Sequence, residues 1–175
     1  MEFPRDENDQ IHSQFAFRIG KIVEQYEGLQ LPEDGKFEVT LYIIALQSLL
    51  TQLQEKHDAI RDVAKKSKLD QPVPASSDLW GINNKLIQKN TFEENPLTYF
   101  KLLTHIRHAL SHPTKQLQDN STGYTTTGND PSKRIEGFRF VHAPNPNNNF
   151  CIEIDVKTIR ELVLGLSDFL NKPDF

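Results

Sequence analysis

Apolar residues recur at three- and four-residue intervals along much of the chain, a spacing that predicts amphipathic α-helices. The first such stripe ends at Gly28, a residue type typical of helix ends. The polar turn LPEDG separates it from a second stripe that extends to about Lys65, and we expect the two helices to form a hairpin. The first stripe consists of Ile11, Phe15, Ile19, Ile22, Val23 and Tyr26.

The segment after these helices interrupts the helical pattern. The stretch SKLDQPVPASSD contains two prolines and three serines, a composition that indicates a loop. Beyond it, the apolar residues between Leu79 and Ile87 predict a short helix, although Gly81 lowers its helical propensity.

The best marked helix lies between two prolines. Asn95 is a good N-cap and Pro96 fits the first helical position, where no amide hydrogen is required. Pro113 disfavours helical geometry in the residue before it, so the regular helix should end one or two residues earlier. The stretch HIRHALSHP, residues 105–113, therefore covers the last two turns of this helix and holds three of the six histidines of the chain.

The C-terminal part of the chain predicts a small β-hairpin. Residues 115–135 are polar, rich in Thr, Gly and Asn and without a period, which indicates a mobile loop. Alternating apolar and polar residues around the turn APNPNNN predict two strands within residues 137–156. Asp155 can cap a final helix whose apolar stripe starts at Ile159. The whole pattern predicts one mainly α domain over residues 1–175, a helical bundle with a small β-hairpin before the C-terminal helix.

Composition narrows the class of protein. A chain of 175 residues suffices for one domain with its own core. The net charge of −4 argues against a broad basic surface that coats nucleic acid, so any contact with nucleic acid must be local. No apolar run approaches the roughly 18 to 20 residues that a membrane span requires. The N-terminus lacks a signal-peptide pattern and Cys151 is the single cysteine, so we expect a cytoplasmic protein without membrane contact.

The helix that contains HIRHALSHP has two faces when its residues are placed at about 100° per position. Its apolar residues form one face, which we expect to be buried. Arg107 flanks this face and lies about 140° from His112, so one isolated helix would not aim both side chains at a single phosphate. Nearly opposite the apolar face lie three histidines: His105, His108 and His112.

The motif RHALSH is similar to the R-x4-H motif of the HEPN superfamily, in which a polar residue commonly follows the arginine. The matching positions are Arg107, His108 as the polar second residue, and His112. The resemblance implies an α-helical bundle that dimerises about a two-fold axis, with the arginine and histidine of both subunits lining one cleft. One toxin branch of the superfamily has a tyrosine two residues after the histidine. Here Thr114 occupies that position, so pairing with the nucleotidyltransferase antitoxin of that branch is not implied.

The resemblance also implies an activity. We expect a metal-independent endoribonuclease of the toxin or phage-defence type, which cleaves RNA by attack of its 2′-hydroxyl at a composite dimer site and needs no cofactor. Arg107 and His112 would be catalytic and His105 and His108 supporting. A histidine that titrates near neutrality can move protons, and the arginine fork stays charged while it binds phosphate oxygens. The expected partners are RNA, a second copy of the chain, and an antitoxin or regulatory protein.

The loop after the motif carries candidate RNA contacts. It begins directly after the predicted catalytic histidine. Basic side chains can bind phosphates, and an aromatic ring can stack on an unpaired base. We therefore expect four residues of this loop to hold RNA: Lys115, Tyr124, Lys133 and Arg134.

The sequence is also compatible with other functions. A non-catalytic HEPN-like module that binds RNA, a nucleotide or a protein would have the same fold. Arg107 could equally be a salt-bridged surface residue and His112 a simple helix cap. Three histidines on one helix face are also compatible with a zinc site, although the segment lacks a cysteine and a carboxylate for the fourth ligand. Cys151, on a predicted strand, receives no role.

Overall fold

The computed structural model describes residues 5–30, 38–57, 63–76, 79–93, 96–112, 121–128 and 135–171. Within these ranges the chain forms five α-helices and four β-strands. The helices are α1 (Arg5–Glu27), α2 (Glu38–Lys56), α3 (Val63–Leu69), α4 (Tyr99–Leu110) and α5 (Val156–Asn171). The strands are β1 (Ile87–Asn90), β2 (Gly123–Thr127), β3 (Gly137–Asn145) and β4 (Asn148–Asp155).

The strands form one antiparallel sheet in the order β1-β4-β3-β2. The two central strands, β3 and β4, are the predicted hairpin and are confirmed. The prediction of a mainly helical fold with only this hairpin is wrong, because β1 and β2 extend the hairpin on both sides. The chain therefore combines a helical layer with a four-stranded sheet.

The two added strands are edge strands with weak sequence patterns. β1 begins at Ile87, the last residue of the predicted short helix, and only Ile87 of its four residues is partly buried. β2 lies within residues 115–135, which were expected to form a loop. Its sequence GYTTT is polar, yet threonine is β-branched and fits a pleated strand. Hydrophobic periodicity reports the burial of one face, so an edge strand that buries little apolar surface gives no such signal.

The predicted short helix at residues 79–87 is reduced to a 3₁₀ turn at Asn84–Leu86, because the backbone turns before it. Trp80 and Gly81 have φ angles of 54° and 72°, which no α-helix accommodates. The Trp80 ring instead packs on α5 at Gly165, where an added Cβ would lie 2.0 Å from Trp80 Cδ1. Burial of a large aromatic ring in the gap left by a glycine decides the conformation of this segment.

α1 packs on α5 through its small residues and not through the whole predicted stripe. Ala16 is fully buried, whereas Phe15 is 47% and Ile22 is 53% exposed. The helices approach so closely that a Cβ on Gly20 would lie 2.3 Å from Ser167 Oγ. That hydroxyl donates a hydrogen bond of 2.7 Å to the carbonyl oxygen of Ala16. Because the two helices lie so close together, α1 faces α5 with the side that carries small side chains.

An ion pair joins the same helices at their far ends. Arg160 on α5 donates two hydrogen bonds, of 2.6 and 2.7 Å, to the carboxylate of Glu27 on α1. Tyr42 on α2 donates a third, of 2.6 Å. The Arg160 hydrogen bond is the main reason that the pKa of Glu27 lies below its usual value.

Asp155 starts α5 as predicted, since its Oδ1 accepts a hydrogen bond of 2.6 Å from the amide of Thr158. The predicted apolar stripe of α5 enters the core from Ile159 onward. α4 lies between two layers, with α2 on one side and β2 and β3 on the other. None of the helices within the described ranges has the length and hydropathy needed to cross a membrane.

Candidate active site

The candidate site lies at the C-terminal end of α4, and local hydrogen bonds set the limits of this helix. It begins at Tyr99, with Thr98 as its N-cap, and not at Pro96 as predicted. The residues before Tyr99 bond instead to the segment after α3, because the amide of Val73 donates to the carbonyl oxygen of Leu97. Asn95, the predicted cap, lies outside the described residues.

The predicted end of the helix is confirmed. The last helical residue is Leu110, and the Ser111 amide donates to the carbonyl oxygen of Arg107. The Ser111 hydroxyl donates to the same oxygen at 3.1 Å, and the His112 amide donates to Ala109. α4 thus ends at Leu110 with Ser111 as its C-cap, and the angle of about 140° between Arg107 and His112 is that of an ideal helix, which stops two residues before His112.

One side of α4 faces α2 and carries Arg107. The Thr104 hydroxyl donates to Gln54 of α2 at 3.1 Å, and the Phe100 ring stacks on the ring of His57 just after α2, with centroids 3.6 Å apart. Arg107 lies three residues after Thr104 and seven after Phe100, on the same side of the helix. The guanidinium thus projects from the α2 side of the α4 end.

Arg107 differs from Arg139 and Arg160 in the partners of its Nε. Its Nε is shielded from solvent and makes no hydrogen bond within the described residues. By contrast, Arg160 pairs with Glu27, and Arg139 lies 3.8 Å from a carboxylate oxygen of Glu153. An unsatisfied buried donor costs free energy, roughly 1–3 kcal/mol or more for a charged group. The Arg107 guanidinium could therefore bind an anionic ligand.

The other side of α4 faces the sheet and carries the histidines. His105 is only 4% exposed, its Nδ1 lies 2.7 Å from Nδ1 of His142 on β3, and its ring stacks on Phe150 of β4 with centroids 4.6 Å apart. The wheel placed His105 nearly opposite the buried face, and this expectation is wrong. The sheet covers that side of α4, so His105 lies inside the protein and not on the wall of an open cleft.

His142 is the member of the cluster that sequence reasoning missed. Its ring stacks on His108, with centroids 4.5 Å apart and planes at 18°. Burial first, and then the charges of His105, His108 and His112, lower the pKa of His142 to about 4. No role was assigned to His142 from the sequence. Its partner His105 is 37 positions away, a distance that no local motif covers.

His108 and His112 are the remaining histidines of HIRHALSHP. Burial, followed by the charges of Arg107 and His112, lowers the pKa of His108, so its ring is neutral at neutral pH. His112 is exposed, just beyond the helix cap. Its charge contributes to the lowered pKa of both His108 and His142.

The histidines do not form a metal centre in this arrangement. No three His, Cys, Asp or Glu side chains in the described ranges are grouped to hold a metal ion. The rings are used in stacking and in the bond between His105 and His142. The geometry thus gives no support to the zinc alternative raised by the spacing of His105, His108 and His112.

Of the four residues predicted to contact RNA from the loop, only Tyr124 lies within the described residues. Tyr124 lies on β2, where its half-buried ring contacts Phe138 and Phe140 of β3, with centroids 6.2 and 6.1 Å away. Cys151 is buried and accepts a hydrogen bond of 3.2 Å from Nε of Arg139. The other loop candidates, Lys115, Lys133 and Arg134, lie outside the described residues, as does Thr114.

The chain was compared with known protein families, curated proteins and solved structures. A family model described as HEPN pEK499 p136 matches residues 1–174, almost the entire chain. No curated protein and no solved structure matches the chain.

Proposed function

The chain belongs to the HEPN family, and on that premise we propose that it is a metal-independent endoribonuclease whose catalytic residues are Arg107 and His112. The observation that carries the proposal is the state of Arg107. Its guanidinium is half-buried, its Nε has no partner within the described residues, and it lies one turn before an exposed histidine. This is the state expected of a phosphate ligand and not of a salt-bridged surface arginine.

The chemistry follows from the two side chains. A neutral imidazole of His112 takes the proton from an RNA 2′-hydroxyl, and the oxygen attacks the adjacent phosphorus. The bond between phosphorus and the 5′-oxygen breaks, and this oxygen takes a proton from an imidazolium. The Arg107 guanidinium binds the non-bridging oxygens as negative charge builds up on them. The products are a 2′,3′-cyclic phosphate and a 5′-hydroxyl.

The proposed active form is a homodimer. Arg107 follows Thr104 on the α2 side of α4, and on an ideal helix it lies about 140° from His112, so we propose that the catalytic pair forms between subunits. A two-fold axis near the ends of two α4 helices would place Arg107 of each subunit near His112 of the other. Within each site, the imidazolium formed when His112 takes the 2′-hydroxyl proton is also the acid that protonates the 5′-oxygen. Lys115, Lys133 and Arg134 stay proposed phosphate contacts.

We further propose a toxin or phage-defence role, in which an antitoxin or regulatory protein restrains the nuclease. An unrestrained ribonuclease harms its own cell, which is the reason for such a partner. The alternative function is a non-catalytic HEPN-like module that binds RNA, a nucleotide or a protein.

Incubation of the purified protein with total RNA and with tRNA tests the proposal. We expect fragments with 5′-hydroxyls and with 2′,3′-cyclic phosphates at their 3′ ends, identified because phosphatase alone does not free the 3′ end for ligation, whereas phosphatase after acid hydrolysis of the ring does. The double variant Arg107→Ala/His112→Ala, prepared in the same way, controls for contaminating nuclease. RNA binding without any cleavage above this control would support the non-catalytic module instead.

A further inference from the structure

Three half-buried rings form a ladder between the sheet and the end of α4. Phe92, just after β1, stacks on His142 with centroids 5.4 Å apart and planes at 24°. His142 stacks in turn on His108, at 4.5 Å and 18°. Small angles between successive planes mean that the three rings face the same way. The ladder therefore ends with one face of the His108 ring.

The end of the ladder is open within the described part of the chain. His142 covers one face of the His108 ring, and no other ring there packs on His108. Below the ladder, the bond between His105 and His142 and the stack of His105 on Phe150 hold the rings in place. His108 is partly exposed and its ring is held in place by these contacts, which lowers the entropy lost when a flat ligand stacks on it.

The surroundings of the open face are cationic. Arg107 directly precedes His108, and its charge is felt at the His108 ring. His112 follows one turn later and is exposed. The His108 ring is flanked in sequence by the Arg107 guanidinium, whose Nε has no partner within the described residues, and by the exposed His112 imidazole. Such a site fits a ligand that has a flat aromatic part next to an anionic part. An RNA nucleotide has this composition, with a base for the ring and a phosphate for the cations.

We propose that the open face of His108 is a stacking site for one unpaired RNA base beside the cleaved phosphate, so that the substrate is single-stranded at this position. This inference rests on the proposed function, because it uses the same phosphate site. His108 then binds substrate through its ring face and takes no proton in the reaction. A base in a duplex is stacked on both sides and cannot reach this face without unpairing.

Binding to strands that cannot be cleaved tests this proposal apart from catalysis. The probes are a dye-labelled 2′-O-methyl RNA strand and an abasic strand of the same length and backbone, measured by fluorescence anisotropy. We expect wild type to bind the base-bearing strand roughly 5- to 150-fold more tightly, the range given by stacking of one base. Equal affinity for the two strands would overturn the proposal without any variant being needed.

Variants then assign the effect to His108. His108→Ala should weaken binding of the base-bearing strand by a similar factor and leave the abasic strand unchanged, whereas His108→Phe should restore binding. The matched control is His57→Ala, because His57 also stacks on an aromatic ring of α4, Phe100, but at the other end of the helix. Equal loss for both strands in His108→Ala would show that the residue acts through charge or folding, and would overturn stacking.

Cleavage assays separate this proposal from the nuclease proposal. If His108→Ala cleaves RNA with the KM of wild type, the nuclease stands and the stacking site fails. If wild type distinguishes the two strands through His108 but never cleaves RNA, the stacking site stands and the nuclease fails.

Discussion

The Nδ1 atoms of His105 on α4 and His142 on β3 lie 2.7 Å apart, so one proton lies between the two rings and both rings cannot be charged. One ring donates and the other accepts. This bond, formed across 37 positions of sequence, joins the helix of the R-x4-H motif to the sheet.

The first prediction concerns how the stability of the fold depends on pH. The pKa of His142 is about 4 in the folded protein and near 6.5 in the unfolded chain. Between these values the unfolded chain binds more protons, so stability is full above about pH 6.5 and falls as the pH drops toward 4. The slope from this one group is at most about 1.4 kcal/mol per pH unit. Thermal unfolding between pH 5 and 7 measures it.

His142→Phe provides the control for this prediction. It keeps an aromatic ring in the ladder and removes the titrating group, so its melting temperature should be lower at neutral pH but less dependent on pH in that window. The lower limit of pH 5 keeps the contribution of Glu27 small, because protonation of that carboxylate reduces stability only below its usual pKa. A wild-type melting temperature that is flat from pH 7 to 5 would contradict the prediction.

The second prediction concerns the catalytic pair. Arg107→Ala and His112→Ala should each lower RNA cleavage by at least about 100-fold, the usual effect of removing a group that stabilises the transition state. Arg107→Lys should also be inactive or nearly so, because an ammonium lacks the two-pronged geometry of the guanidinium. His57→Ala, on the α2 side, serves as the control and should keep activity. Initial cleavage rates on one RNA substrate measure the series.

The third prediction separates a functional arginine from a structural one. Because Nε of Arg107 is shielded and unpaired, Arg107→Ala removes an unsatisfied charged donor and should leave the melting temperature unchanged or raise it. Arg160→Ala should lower it, since it leaves the carboxylate of Glu27 without its main partner. A clear loss of stability in Arg107→Ala would assign that side chain a structural role.

The fourth prediction concerns the reaction itself. Cleavage should persist in EDTA, and RNA with a 2′-deoxy nucleotide at the cleavage site should resist, because the attacking group is absent. His105→Ala should affect stability more than chemistry, since His105 is buried beneath the sheet. A metal enzyme would give the reverse pattern: sensitivity to the chelator and comparable losses at His105, His108 and His112.

The fifth prediction concerns the assembly. Light scattering at micromolar concentration should give the mass of two chains. Mixing inactive Arg107→Ala with inactive His112→Ala should restore part of the activity, because a mixed dimer retains one intact composite site. A monomer that cleaves RNA, or a mixture without any activity, would rule out a site shared between subunits.

Local features of the sequence determined several parts of this protein. Pro113 and the polar residues before it predicted the end of α4, and the capping side chain of Asp155 predicted the start of α5. Alternation of apolar and polar residues predicted the hairpin of β3 and β4. Each of these features depends on neighbours within about two helical turns or one strand.

Tertiary structure decided the rest. β1 pairs with β4 between residues as distant as Lys89 and Cys151, and neither edge strand carries a pattern of its own. The sheet they complete covers the histidine side of α4, which a wheel of an isolated helix presents as exposed. His105 is buried and His142 joins the candidate site for that reason. Periodicity reports which residues of an element can be buried, but the element that covers them is chosen by pairing and packing across the whole chain.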